Sequence, residues 1–249
     1  MYFAWKNIDA DYYGLFHYRR ILDFTPRDII NRLLSFLTPQ RFLQTKYHLK
    51  ATQISHILQT KSPDIIIPKR QQLTSHLNLY STYQYAHYDR DFKKAISFIK
   101  THYPNMTNAL NQAIFTNNQA VCYGNMFVMK KELFFDYCKW LFSVLFGIMN
   151  EIPYKTYDSY QGRVFGFLSE RLFNVWLIHK IQTDNIKILE YKTKLLYAKN
   201  KKFFGVVYSN GYKRYYAFFI RIYKKQVDII NNDSSTQTND CTSNNKDIK

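Results

Sequence analysis

Asp64-Ile65-Ile66-Ile67-Pro68 is a continuous β-branched run closed by a proline, and helix-like sequence lies on both sides of it. Residues of this kind pack well on a pleated surface, and a run without polar alternation is a strand buried on both faces. Upstream, Thr52 to Lys61 has helical composition, with Thr52 as the expected N-cap, and a further helix is expected from about Pro26. Downstream, helical periodicity runs from about Ser81 to Asn117 and breaks at Pro104. Strands separated by helices give an α/β fold rather than a helical bundle.

Other elements follow from the same reading. Met1 to Ile8 reads as helix, and Tyr12 to Tyr18 and Ala120 to Met129 as strands. Lys131 to Asn150 is a long amphipathic helix whose stripe of Leu133, Phe134, Tyr137, Leu141, Val144, Leu145 and Ile148 belongs to a core. A loop over Glu151 to Tyr160 leads to a helix from about Gln161 to Lys180 and a short strand at Ile186 to Glu190. From Asn231 the sequence is almost free of apolar residues, which predicts a disordered tail. The expected organisation is thus a domain over 1–190, a basic aromatic extension over 191–230 and a tail over 231–249.

The chain has 249 residues, a formal charge of +17 and 46% hydrophobic residues, enough apolar sequence for a real core. Ten basic residues and no acidic one fall between Lys192 and Lys225, interleaved with Tyr, Phe and Ile, a composition suited to anionic lipid or phosphate. Cys122, Cys138 and Cys241 show no CxxC or Cys/His spacing, which speaks against a disulfide framework or a structural zinc site. The longest apolar run, Trp140 to Met149, is about half the length a bilayer span requires. With no basic region followed by an apolar stretch at the amino end, the expected place is the cytoplasm, against the inner face of the cell membrane.

Three segments combine polar groups with strongly structured sequence. In the first, Asp11 to Arg20, an apolar strand runs into His17, Tyr18, Arg19 and Arg20. Ligands of open α/β sheets bind at the carboxyl ends of strands, so two guanidinium groups there suit a diphosphate. A solvated strand exit accounts for the same pair. The second, Cys122 to Lys131, contains Gly124, which permits close backbone approach, and Asn125, which both donates and accepts. The third, Tyr160 to Trp176, places Arg163, Gly166, Glu170 and Asn174 at helical spacings on one stripe. Val164, Leu168, Leu172, Val175 and Trp176 lie opposite, so the polar stripe is expected to line a cleft. Pairing of Glu170 with Arg171 or Asn174 is the competing reading.

Together, YFAWKN (Tyr2–Asn7), DADYYGLFHYRR (Asp9–Arg20), DIIIPKR (Asp64–Arg70), YGNMFVMKKELFFDYCKWLF (Tyr123–Phe142) and YQGRVFGFLSERLFNVW (Tyr160–Trp176) resemble the DUF4422 family. That family is found in capsular, exopolysaccharide and O-antigen biosynthesis proteins and is related to galactofuranosyltransferase domains. The resemblance implies a GT-A-like nucleotide-sugar-binding fold and transfer of a sugar from a nucleotide-diphosphate donor to a glycan or lipid-linked glycan acceptor. Members begin with a further strand ahead of the first motif, so the implied fold here lacks its first strand.

On this reading Arg19, Arg20, Asn125, Gln161 and Arg163 bind the donor, and Glu170 is the catalytic base, with His17 as the alternative. No cofactor is identified. Asp9-Ala10-Asp11 has the letters of a metal-binding Asp-x-Asp motif but precedes its strand, so phosphate neutralisation by arginine is favoured over a divalent metal, which stays open. Two other classes compete: a catalytically inactive remnant of such an enzyme, and a basic nucleic-acid-binding protein. The second lacks any RNP, helix-turn-helix or zinc pattern, and no nucleic-acid partner is expected.

Overall fold

The computed structural model describes residues 1–38, 42–196, 204–209, 212–217 and 220–226. The chain forms two compact units, Met1–Leu196 and Tyr197–Lys249. The tail expected from Asn231, together with Cys241, Lys199, Lys201 and Lys202, lies outside the described residues.

In the first unit, helix α1 (Tyr2–Asn7) precedes strands β1 (Tyr12–Leu15) and β2 (Arg20–Asp23). Helices α2 (Ile29–Leu37), α3 (Leu43–Lys46) and α4 (Ala51–Lys61) lead to β3 (Ile65–Pro68) and the short β4 (Gln71–Gln72). Next come α5 (Leu79–Ala86), α6 (Asp89–His102) and α7 (Thr107–Phe115), then β5 (Ala120–Val121) and β6 (Phe127–Lys130). Helices α8 (Lys131–Ile148) and α9 (Val164–Thr183) and strand β7 (Ile188–Leu195) complete it. The second unit contains an antiparallel meander of β8 (Phe204–Ser209), β9 (Tyr212–Ala217) and β10 (Ile220–Gln226).

Strand order in the main sheet is β1-β6-β3-β7-β2. β3 and β7 are parallel, β6 is antiparallel to both β1 and β3, and β2 is antiparallel to β7. These directions bring the carboxyl ends of β1, β3 and β7 and the amino ends of β6 and β2 to one end of the sheet. The two outermost strands, β1 and β2, are joined by only Phe16 to Arg19, so the sheet curls. Strand β7 divides its pairing: Ile188 to Tyr191 lie beside β3, and Lys192 to Leu195 beside β2.

Alternation along the strands sorts the sheet's two faces. Ile65, Ile67, Phe127 and Met129 join the large core with α6, α8 and α9, whereas Ile66, Val128 and Leu22 pack with Ile54, Ile57 and Leu58 of α4. All three isoleucines of β3 are fully buried, each stabilising the fold by about 1.5–3 kcal/mol through removal from water. Helices on both faces explain why β3 has no polar alternation.

Several expected boundaries move for local reasons. The strand expected over Tyr12 to Tyr18 ends at Leu15, because His17 and Arg20 bridge across a tight turn that reverses the chain into β2. The helix expected from Pro26 starts at Ile29, where the Asp28 side chain accepts the Asn31 N–H at 2.8 Å. Thr52 lies inside α4 rather than capping it; the N-cap is Lys50, whose N–H donates to Gln53 Oε1 at 3.3 Å. The strand expected from Ala120 to Met129 is two strands, split where Gly124 (φ 92°) and Asn125 (φ 45°) take left-handed backbone.

Candidate active site at one end of the sheet

The turn between β1 and β2 is pinned by two hydrogen bonds: the Arg20 N–H donates to His17 O at 3.1 Å and the Arg19 N–H to His17 Nδ1 at 3.2 Å. Arg19 reaches back over the Tyr18 ring, 4.9 Å from its centroid. Because Nδ1 accepts a hydrogen bond, the neutral His17 ring carries its own hydrogen on Nε2. Arg20, at the amino end of β2, leans across to the turn before β6. A Cβ on Gly124 would stand 3.3 Å from Arg20 Nη1, so glycine there serves both its positive φ and the passage of the guanidinium.

His17 reports the field of the site. Burial lowers its pKa most, followed by the charge of Arg20; Glu170 opposes the shift, and Arg19 and Arg163 add to it. The charges of Arg19 and Arg20 in the β1–β2 turn, and of Arg163 and Glu170 at the start of α9, thus all reach His17. Arg163 itself lies over the Phe167 ring, 5.5 Å from its centroid.

Helix α9 supplies the carboxylate. Glu170 is half-buried, and its Oε2 accepts from Arg171 Nη1 at 3.3 Å, so the pairing of neighbours weighed from the sequence is present. Arg171 is buried and stands over the Tyr83 ring at 5.6 Å; among the described residues neither its Nε nor the buried Tyr83 hydroxyl has a hydrogen-bond partner. A Cβ added to Gly166, one turn before Glu170, meets nothing within 4 Å, so the helix face there is open, as a ligand-lining face requires.

Asn174 departs from the expected cleft-lining stripe. It is 4% exposed and clamps a distant backbone: the Cys122 N–H donates to its Oδ1 at 2.8 Å, and its Nδ2 donates to Cys122 O at 3.0 Å and Glu170 O at 3.1 Å. It fastens the strand leading to Gly124 against the helix turn carrying Glu170. Asn125 continues this seam, accepting from the Tyr137 hydroxyl at 3.1 Å and donating to Ser169 Oγ at 3.4 Å. Gln161 is held on α5, donating to Ala86 O at 3.0 Å and contacting His87 Nδ1 at 3.3 Å.

A further ionic pair lies at the same end of the sheet. Arg70, two residues past β3, holds Glu190 of β7 through Nη2 and Nε, both at 2.7 Å from Oε1. Both charges act on the Cys122 thiol, which burial pushes up to about 12. Sequence reasoning assigned no role to Arg70 or Glu190, and weighed Arg171 only as a partner of Glu170. The signal for Arg70 was available, since a basic residue directly follows the carboxyl end of the most buried strand.

Asp9 pairs with Lys131 at 2.5 Å on the surface ahead of β1. Among the described residues no group of three or more His, Cys, Asp or Glu side chains is placed to hold a metal ion, and no helix is long and apolar enough to cross a membrane.

No curated protein matches the sequence. Among solved structures, the apo structure of WbbM, a bifunctional glycosyltransferase, matches with a TM-score of 0.67 and 28% identity, over 84% of this chain. The chain spans 37% of the length of that structure. The likeness accords with the curled α/β sheet and with the GT-A-like fold expected from the motifs. The profile of the family described as Domain of unknown function (DUF4422) matches residues 1–182, which contain all the motif stretches from Tyr2 to Trp176, and the chain belongs to the DUF4422 family.

Proposed function

We propose that the protein is a glycosyltransferase of surface polysaccharide synthesis (capsule, O-antigen or lipooligosaccharide), moving a sugar from a nucleotide-diphosphate donor to a glycan or lipid-linked glycan acceptor. What supports the proposal is that the charges of Arg19, Arg20, Arg163 and Glu170 all reach His17, in the turn at the end of the sheet where β1, β3 and β7 finish. The likeness to a glycosyltransferase supports the reaction class.

In the proposed inverting transfer, Glu170 takes the proton of the acceptor hydroxyl as that oxygen forms its bond to the anomeric carbon. The bond from that carbon to the diphosphate oxygen breaks, and its electron pair leaves with the nucleotide diphosphate. Arg19, Arg20 and Arg163 offset the charge developing there; guanidinium groups suit the task because they stay charged and bind phosphate through two hydrogens. Glu170 is the better base on geometry, since His17 already accepts the Arg19 N–H at Nδ1 and presents a donor at Nε2. His17 then serves as a neutral hydrogen-bond donor to the donor's phosphate or sugar.

The strands of the second unit carry Lys213, Tyr215, Tyr223 and Lys225. With the basic run in which they lie, they support contact with an anionic membrane on which a lipid-linked acceptor is presented.

The test is release of nucleotide diphosphate from a panel of nucleotide sugars, with and without chelator. Glu170→Gln keeps the shape and its neighbours, so turnover should fall by about 10²-fold or more while donor-induced thermal stabilisation persists. Near-normal turnover would remove Glu170 from the chemistry.

A further inference from the structure

Helix α2 is built inside out. Around its axis Ile29, Ile30, Leu33, Leu34, Phe36 and Leu37 form one broad apolar arc, and Asn31, Arg32 and Ser35 the opposite one. In a globular protein the apolar arc faces the core, yet here none of the helix's residues is buried, with Ile29 83% and Phe36 80% exposed. The least exposed positions are the polar Asn31 and Ser35. The carboxyl end of the helix is fastened by Lys46, whose Nζ donates to Ser35 O at 2.5 Å and Thr38 O at 2.6 Å. The last turn is thereby tied to α3, and the apolar side points outward as a contiguous surface of the kind that marks an interaction site.

Charge identifies what covers it. Between Phe24 and Lys61 the sequence has Arg27, Arg32, Arg41, Lys46, Lys50 and Lys61 against one carboxylate, Asp28, which is occupied in capping α2. Arg27, Arg32 and Lys50 are exposed. A second copy of this strongly cationic chain would bring like charges together, whereas an anionic lipid surface supplies both an acyl layer for the apolar arc and headgroups for the arginines.

We propose that α2 docks on an anionic bilayer, its Ile29–Leu37 arc entering the boundary between headgroups and acyl chains while Arg27 and Arg32 meet phosphate. The membrane contact considered above for the second unit involves different residues; docking of α2 rests on its own exposure and requires neither donor binding nor turnover. Its failure would leave the transfer reaction untouched, and loss of turnover in Glu170→Gln would leave docking untouched.

The experiment is cosedimentation of the full chain with phosphatidylcholine vesicles containing phosphatidylglycerol, and with phosphatidylcholine vesicles alone, for the parent and an Ile29→Ser/Phe36→Ser double variant. Both side chains are exposed, so the unfolding midpoint should not change; a Lys50→Ser variant samples the local charge without touching the arc. The parent should bind the anionic vesicles and bind the neutral ones much more weakly. The double variant should lose affinity on the order of tenfold or more, and Lys50→Ser by a smaller factor that disappears at high salt. Undiminished binding by the double variant, equal binding to neutral vesicles, or no vesicle binding would each overturn the proposal. A dimer in solution that the double variant dissociates, without vesicle binding, would assign the arc to a second copy instead.

Discussion

Replacing Asn174 with leucine tests the seam between the two halves of the candidate site. Leucine fills nearly the same volume, so little cavity energy enters, but the substitution removes both hydrogen bonds to the Cys122 backbone and the one to Glu170 O. Asn174 is 4% exposed, so water does not readily replace them. Glu170 O remains inside a helical turn, leaving the Cys122 N–H and C=O as the orphans. Each buried orphan costs about 1–3 kcal/mol, so the expected loss is about 4 kcal/mol, a large part of the roughly 5–15 kcal/mol that keeps a domain folded. All three tryptophans, Trp5, Trp140 and Trp176, lie in the Met1–Leu196 unit, and their fluorescence follows its urea transition. The midpoint should fall by roughly 1–3 M. Donor-induced stabilisation should shrink as well, because the segment leading to Gly124 and Arg20 loses its tie to the turn of α9 that holds Glu170. A loss under about 1 kcal/mol would show that the Cys122 groups find other partners and that Asn174 does not hold the site together.

Two further outcomes follow from the same geometry. Gly124→Ala adds a Cβ at positive φ and 3.3 Å from Arg20 Nη1, so it should cost about 1–2 kcal/mol of stability. It should also weaken the binding of nucleoside diphosphate measured by calorimetry, and unchanged affinity would separate Arg20 from the donor site. His17 has a folded pKa below its ordinary 6.5, first through burial and then through Arg20, against the opposing charge of Glu170. The unfolded chain therefore takes up the proton first as pH falls, so stability is full above about pH 6.5 and declines below it towards the folded value. His17→Asn should flatten the fall in unfolding midpoint between about pH 6.5 and 5; His87, also lowered by burial, accounts for part of any remaining slope.

The parts of the fold legible in the sequence are those whose residues act locally and repeatedly. The isoleucines of β3 could only be a strand buried on both faces, Pro104 divides α6 from α7 as expected, and the aromatic stripe of α8 is core. Strand β2 escaped because the turn from Phe16 to Arg19 contains no Gly, Pro, Asn or Asp to punctuate it. It is made by a His17–Arg20 bridge and long-range pairing with β7, neither of which has a local signature. The α9 stripe failed at Asn174 for a related reason. That helix is apolar almost all round, so spacing shows that Glu170 and Asn174 share a side but not that one turn is half-buried and the next sealed against Cys122, 52 residues away in sequence. The stacking of Arg171 on Tyr83 stayed hidden because α5 delivers that ring from elsewhere in the chain.

The division of labour along β7 gives the molecule a seam of its own. Arg20 to Asp23 pair with its outer half, with Leu22 and Phe24 anchoring them in the smaller core, while its inner half is locked beside β3. Peeling that outer ribbon would release, in one event, the guanidinium of Arg20 and the stem from which α2 projects. Those four paired residues are thus the part of the sheet whose fraying would reach the candidate site first, ahead of any loosening around β3.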